Sequence, residues 1–516
     1  RISFPTLFTL ALLLGVGFRI NSPVCSQTLS PQQIKAHVLE SLPDSLDRFR
    51  DFLTYPNDAN FPQDIDRVLG WLEQTFSEKG FMTERLPTPS NPVLFAQRGT
   101  PAAERTVLIY FHADGQPVEP SLWDQESPWQ PVLKQRDQDG KWQTIPWDSL
   151  NGELNPEWRI FARSASDSKG PIAQFLAAIT ILDRLEIQPD FNFKIIIDTE
   201  EEKGSRFLPQ VIDQNRDRLA ADMILIFDGP PHVSNQPTLK FGHRGNTTVT
   251  MKTYGPIVSQ HSGHYGNYLP NPNFRMAKLL ASLKDDQGRV LIPGWYDGIE
   301  LDEATRAILD SVPDDEEAIL KQMQVAVPER VGNSLQEAVQ YPSLNVRGLS
   351  SGFVGDKART MLPAETIAEI DIRLVPESDS RRLTGLLREH LIQQGFYVVE
   401  DEPTEQERLT HDRIVKMVVN RSYAGFRTPF DSEVGQWLSS AFVHLFGQQP
   451  IRIRNSGGSV PIAPFIQKLG ISAVSVPTVN PDNNQHAPNE NLRLANFIQG
   501  IEIIVAVLQQ PFPEPK

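Results

Sequence analysis

The chain has 516 residues, of which 39% are hydrophobic and 22% charged, the balance of a soluble globular protein. Its length exceeds what a single core organises, so about two or three domains are expected. A net charge of -15, with no Lys/Arg block to offset it, excludes a nucleic-acid partner, because polyanion binding needs a basic surface that releases counterions.

The leading stretch "RISFPTLFTLALLLGVGF" places a basic residue before an apolar run and is followed by "INSPVCSQ". This is the layout of a secretory signal (1–26) removed after Ser26, and it is shorter than the roughly 20 residues of a membrane span. The protein is therefore expected to be exported, periplasmic or secreted, without a stable membrane partner. Cys25, the single cysteine, lies in this leader, so the mature chain would have neither disulfide nor thiol chemistry.

From Leu29 to Leu86 the patterns are helical, with Ile65, Leu69, Leu72 and Phe76 on one face. Continuous apolar runs at Thr106–Phe111, Phe193–Ile197 and Met223–Phe227 predict strands buried on both faces. Between the first two, Ile172, Phe175, Leu176, Ile179 and Leu182 repeat at helical spacing. Strands alternating with helices predict an α/β domain, a mostly parallel sheet with helices on both faces. After Gly229, "TLKFGHRGNTTVTMKTYG" and "TIAEIDIRLV" alternate apolar and polar residues, as half-buried antiparallel strands do. The expected organisation is a discontinuous α/β domain (27–237 and 404–516) carrying an inserted α+β domain at 238–403.

Chemistry gathers at the ends of the predicted strands. His112 follows "VLIYF", Glu201 and Glu202 follow "FKIIIDTE", Asp228 follows "MILIF", and His486 lies beyond "ISAVSVPTVN". Asp167 precedes the helix that starts near Gly170. In α/β domains working residues sit at the carboxyl ends of strands. Two imidazoles with several carboxylates form the mixed nitrogen and oxygen donor set suited to Zn²⁺, Co²⁺ or Mn²⁺. Any one of these residues is ordinary; their convergence at one edge of a sheet is the signal.

These residues resemble the zinc metallopeptidases and amidohydrolases that include carnosinase, carboxypeptidase G, aminoacylase and succinyl-diaminopimelate desuccinylase. The matching stretches are "HADGQPV", "ARSASDSKGP", "EEEKGS", "FDG", "HSGHYGNYLPNP", "DIRLVP", "SGGSVP" and "QHAPNENL", in the family's order from Phe111 to Leu492. The resemblance implies that 27–237 and 404–516 form a catalytic domain and 238–403 an inserted lid or dimerisation domain, with two Zn²⁺ ions sharing Asp167, one also held by His112 and Asp228, the other by Glu202 and His486. It further implies that Asp114 fixes the His112 imidazole, that Glu201 stays off the metals as general base toward a water held between them, and that His261 donates to the oxyanion, across a homodimer in dimeric members. Arg373 and the loop Gly457, Gly458, Ser459 are implied to hold a free substrate carboxylate.

The sequence departs from the family pattern where Phe111 stands in place of a frequent glycine, Ser168 in place of a frequent aspartate, and Asn455 with Ser456 where a glutamate is common. None of these removes a ligand. The implied activity is hydrolysis of an amide beside a free carboxylate in a small peptide, as in a dipeptidase or carboxypeptidase. An N-acyl-amino-acid deacylase would use the same residues, and an inactive periplasmic binding protein would have no need of Glu201.

Overall fold

In the computed structural model, which describes residues 28–512, the chain opens with the helix Pro31–Leu53. Ser30 caps it: its hydroxyl accepts the Gln33 N–H, and the Gln33 side chain accepts the Ser30 N–H in return. The expected leader, its cleavage point and Cys25 lie outside the described residues. Among the described residues no helix is long and apolar enough to cross a membrane. A second helix, Pro62–Glu78, ends before Gly80, whose φ of +76° turns the chain into the strand Met82–Leu86. The helical reading to Leu86 therefore overran by one edge strand.

The main sheet has eight strands, in the order Met82–Leu86, Val93–Arg98, Phe191–Asp198, Arg105–His112, Met223–Ile226, Ser472–Ser475, Thr238–Lys240 and Ile451–Ile453. Its centre is parallel, and both flanks contain antiparallel pairs. Every residue from Val107 to His112 is buried, because the sheet is covered on both faces. The helix Lys169–Arg184 packs beneath Pro31–Leu53 and the terminal helix Leu494–Gln509, and is buried on almost every side. The Trp-rich segment after His112 forms a small antiparallel sheet from Val132–Arg136, Trp142–Ile145, Arg159–Phe161 and Asn491–Arg493.

The lid is a second sheet of five strands, ordered Asn345–Ser350, Glu365–Leu374, Gly245–Tyr254, Ile414–Tyr423 and Tyr397–Val399. One face buries Ile370, Ile372, Leu374, Val249 and Met251 against the helices Pro272–Ala281 and Ser380–Gln393. The expected borders at 238 and 403 both shift. Thr238–Lys240 hydrogen-bonds into the main sheet, beside Ile451–Ile453 and Ser472–Ser475. Ile414–Tyr423 pairs along Gly245–Tyr254 and belongs to the lid; the proline at 403 leads only into a short capped helix, Glu405–Thr410.

Two crossovers join the domains and run antiparallel, with Gly242 opposite Arg427 and His243 opposite Phe426. A Cβ on Gly245 would overlap backbone atoms of Tyr423 and Gly425, so this position needs glycine for close approach. Gly245→Ala is expected to lower the unfolding free energy by about 1–3 kcal/mol, and thermal denaturation followed by circular dichroism would register this as a lower Tm.

Candidate metal centre

Strand ends and tight turns deliver the chemistry. His112 closes its buried strand, Asp228 lies just past Ile226 on the neighbouring strand, and Glu201 and Glu202 occupy a turn directly after Phe191–Asp198. Asp167 precedes the helix that begins at Lys169. His486 sits in a turn with a φ of +62°.

The result is two ligand groups with a shared member: His112, Asp167 and Asp228 in one, Asp167, Glu202 and His486 in the other. His112 Nε2 lies 3.0 Å from Asp167 Oδ1 and 3.6 Å from Asp228 Oδ1. His486 Nε2 lies 3.0 Å from Asp167 Oδ2 and 3.4 Å from Glu202 Oε2. Each oxygen of Asp167 therefore faces a different imidazole.

Asp114 is fully buried and does two jobs. Its Oδ1 lies 3.5 Å from His112 Nδ1, and its two oxygens accept the backbone N–H groups of Glu201 and Glu202 at 3.1 and 3.0 Å. It thus orients the imidazole and fixes the turn that presents both glutamates. The three consecutive glutamates diverge in role. Glu200 accepts from Ser90 Oγ and Asn91 Nδ2, and Glu202 accepts from Gln116 Nε2 at 2.7 Å. The carboxylate of Glu201 accepts no hydrogen bond from the described residues and is left free for a ligand.

The electrostatics call for cations. Burial, with Asp167 next in effect, pushes Glu202 up to about 8, and burial raises Glu201 well above the usual carboxylate range. Burial opposes charge on His112, yet Asp114, Asp167 and Asp228 outweigh it and raise its proton affinity well above normal. The hydrogen bond to Asp167 lifts His486 to about 9. Among the described residues both ring nitrogens of the buried His112 face carboxylates, Nδ1 that of Asp114, without completing a hydrogen bond of acceptable geometry. An orphaned imidazole aimed at carboxylates that repel one another fits divalent metal, which would replace protons as the compensating charge.

Comparisons with known proteins agree with this geometry. Residues 108–510 match the model of Peptidase family M20/M25/M40. The chain belongs to this family. It is 27% identical over 442 residues to the Cys-Gly metallodipeptidase of Schizosaccharomyces pombe, covering 82% of this chain and 83% of that protein. It is also 27% identical over 436 residues to the Beta-Ala-His dipeptidase of Homo sapiens, covering 82% and 78% respectively. Among solved structures, an M20 family metallo-carboxypeptidase from Sulfolobus solfataricus superimposes with a TM-score of 0.74 at 29% identity, covering 90% of this chain and 98% of that one. Membership makes this M20/M25/M40 chain a hydrolase of a metal-dependent peptidase family with a catalytic and a lid domain.

Of the residues singled out in the sequence, the structure brings together His112, Asp114, Asp167, Glu201, Glu202, Asp228 and His486. It also joins Arg373 to the glycine loop, through Nη1 donating to Ser459 Oγ at 2.8 Å beside Gly457 and Gly458. His261 stays apart: it is exposed on the lid, its Nδ1 accepts the Gly263 N–H at 3.0 Å, and its ring lies tilted against that of His264, 4.6 Å between centroids.

Sequence reasoning missed Glu490, although it falls within "QHAPNENL". Its buried carboxylate accepts the N–H groups of Ser164, Ser166 and Asp167 at 2.9, 3.0 and 2.9 Å, accepts Ser166 Oγ at 2.9 Å, and pairs with Arg163 at 2.7 Å. One side chain thereby ties the turn behind His486 to the turn that carries Asp167. Asn57 was missed as well; its Nδ2 donates to the Ala113 carbonyl at 2.7 Å and to Ser164 Oγ at 2.9 Å. An acid opening a strand was the available signal for Glu490, whereas nothing local marked Asn57.

Glu490→Gln removes the charge that balances Arg163 and loosens the Asp167 turn without touching a ligand. Metal titration of the folded variant is expected to show affinity reduced about 10–100-fold, the range for partners that orient ligands. Unchanged affinity would remove Glu490 from this role.

Proposed function

We propose that this chain is an exported dinuclear dipeptidase or carboxypeptidase that cleaves an amide bond beside a free carboxylate in a small peptide. The observation that carries the reading is the pair of ligand groups sharing Asp167, with the unpartnered carboxylate of Glu201 on the turn that presents Glu202. The names of the relatives support peptide substrates, two of them being dipeptidases and one a carboxypeptidase. The apolar leader supports export.

Zn²⁺ is the ion proposed for both groups, with Co²⁺ and Mn²⁺ fitting the same nitrogen and oxygen donors. His112, Asp167 and Asp228 would hold one ion, and Asp167, Glu202 and His486 the other. Bound there, divalent ions supply Lewis acidity that acidifies water and polarises an amide carbonyl.

The chain's own residues manage the rest. Asp114 keeps the His112 imidazole in one tautomer by facing Nδ1, so that Nε2 is the nitrogen offered to metal. Glu201, free of competing hydrogen bonds, takes the proton of the attacking water and passes it to the leaving amine. Arg373, braced by Ser459, receives the substrate's carboxylate. His261 donates to the oxyanion across a homodimer formed through the lid, which accounts for its exposure on a single chain.

Glu201→Gln keeps every ligand and removes the base. Its activity is expected to fall by about 10²–10⁴-fold while the variant retains two metal ions per chain by elemental analysis. Matched panels of dipeptides and N-acyl amino acids would choose between the peptidase and the deacylase. Faster turnover of the N-acyl panel would make the enzyme a deacylase instead.

A further inference from the structure

A second arginine lies beside the loop that braces Arg373. Arg244, in the crossover into the lid, donates through Nε and Nη2 to the Gly457 carbonyl at 3.3 and 3.2 Å. Asn246 stands opposite Arg373 and Thr248 opposite Asp371 in the register of the two central lid strands. With two-residue alternation, Arg244, Asn246, Asp371 and Arg373 therefore share one face, away from the lid's core.

The patch also has a defined place. The neighbouring His243 bonds Ser475 Oγ at 2.7 Å, and Ser475 pairs with Ile226, just ahead of the ligand Asp228. His243 is accordingly held at the carboxyl end of the main sheet, and Arg244 follows it directly in the chain.

Charge around Arg244 does not balance among the described residues. Arg373 Nε lies 3.3 Å from Asp371 Oδ2, whereas Arg244 has no carboxylate within ion-pair distance among the described residues. Arg244 is half-buried, and burial together with the nearby Arg373 brings its proton affinity down to about 10. Asn246 adds a buried Oδ1 without a hydrogen-bond partner. Among the described side chains beside the Gly457 loop, the two guanidinium groups face one carboxylate, Asp371, and leave positive charge in excess at a half-buried position, which is costly unless an anion enters.

We propose that Arg244 and Arg373 form a two-armed clamp for one substrate carboxylate, which makes Arg244 a specificity-determining residue. The inference rests on the reading that the scissile amide stands beside a free carboxylate. The single excess charge also sets the number: one carboxylate is neutralised, and a second from an acidic C-terminal side chain is left unpaired and repelled. The preferred substrates thus end in a neutral residue.

The test compares kcat/KM of the metal-loaded full chain for Ala-Gly, Ala-Gly amide, Ala-Asn and Ala-Asp, using wild type, Arg244→Gln, Arg244→Lys and Asp371→Asn. Wild type is expected to favour Ala-Gly over its amide and Ala-Asn over Ala-Asp. Arg244→Gln should reduce the Ala-Gly to Ala-Gly amide ratio by about 10-fold or more, chiefly through KM, as for loss of a charge-assisted bond. Arg244→Lys should fall between, keeping the charge but losing the planar fork. Asp371→Asn frees a second positive charge and should raise the Ala-Asp to Ala-Asn ratio, a change that a purely structural Arg244 does not produce.

If wild type cleaves the amide as well as the acid, the free-carboxylate reading fails and the clamp with it. If wild type favours the acid but both Arg244 variants keep the wild-type ratio, Arg244 is overturned as a clamp residue and the carboxylate reading stands. An unaltered Ala-Asp to Ala-Asn ratio in Asp371→Asn would overturn the charge count.

Discussion

Mutual repulsion among buried carboxylates is the constraint around which the structure is arranged. Asp114, Asp167, Glu201, Glu202 and Asp228 meet at the end of one sheet, where burial pushes Glu201 and Glu202 toward the neutral form. Such a cluster is steadied where donors other than its neighbours hold some of its members. Backbone N–H groups serve Asp114, the Glu490 carboxylate gathers the N–H groups around Asp167, and Gln116 serves Glu202. The positive charge still missing is the one the ligand groups are shaped to receive.

That demand explains why the catalytic domain is discontinuous without being loosely assembled. One ligand group comes wholly from the first half of the chain, while the other depends on His486 near the end. Two local devices close the gap: the Glu490 carboxylate, and the pairing of Asn491–Arg493 with Arg159–Phe161 in the small sheet. The long segment between His112 and Asp167 therefore serves assembly, since its strands carry the second device.

Much of this was legible from the sequence, for identifiable reasons. Strands buried on both faces give continuous apolar runs, so Arg105–His112 and Phe191–Asp198 were visible, and the ligands stood at their ends. The alternation in "TIAEIDIRLV" marked a half-buried lid strand. The borders were harder to place, because a strand reads the same whichever sheet it joins: Thr238–Lys240 and Ile414–Tyr423 crossed the expected limits through long-range pairing alone. The bonding of Asn57, Glu490 and Arg244 was invisible in the sequence because their partners lie far along the chain. His261 was legible only through resemblance, and its surroundings in a single chain are its own loop.

The buried Lys169 connects the site to the start of the protein. Its Nζ donates to the backbone carbonyls of Phe52 and Tyr55, at the end of the first helix, and its own backbone follows directly on Asp167 and Ser168. The match to the family's sequence model begins only at residue 108, so both acceptors, and Asn57 with them, fall outside it. A fragment trimmed to that match would keep all five candidate ligands yet lose both carbonyls that the Lys169 ammonium group bonds. The smallest piece able to build this centre therefore reaches back through the first helix, and the amino-terminal segment counts as part of the catalytic body rather than as an appendage to it.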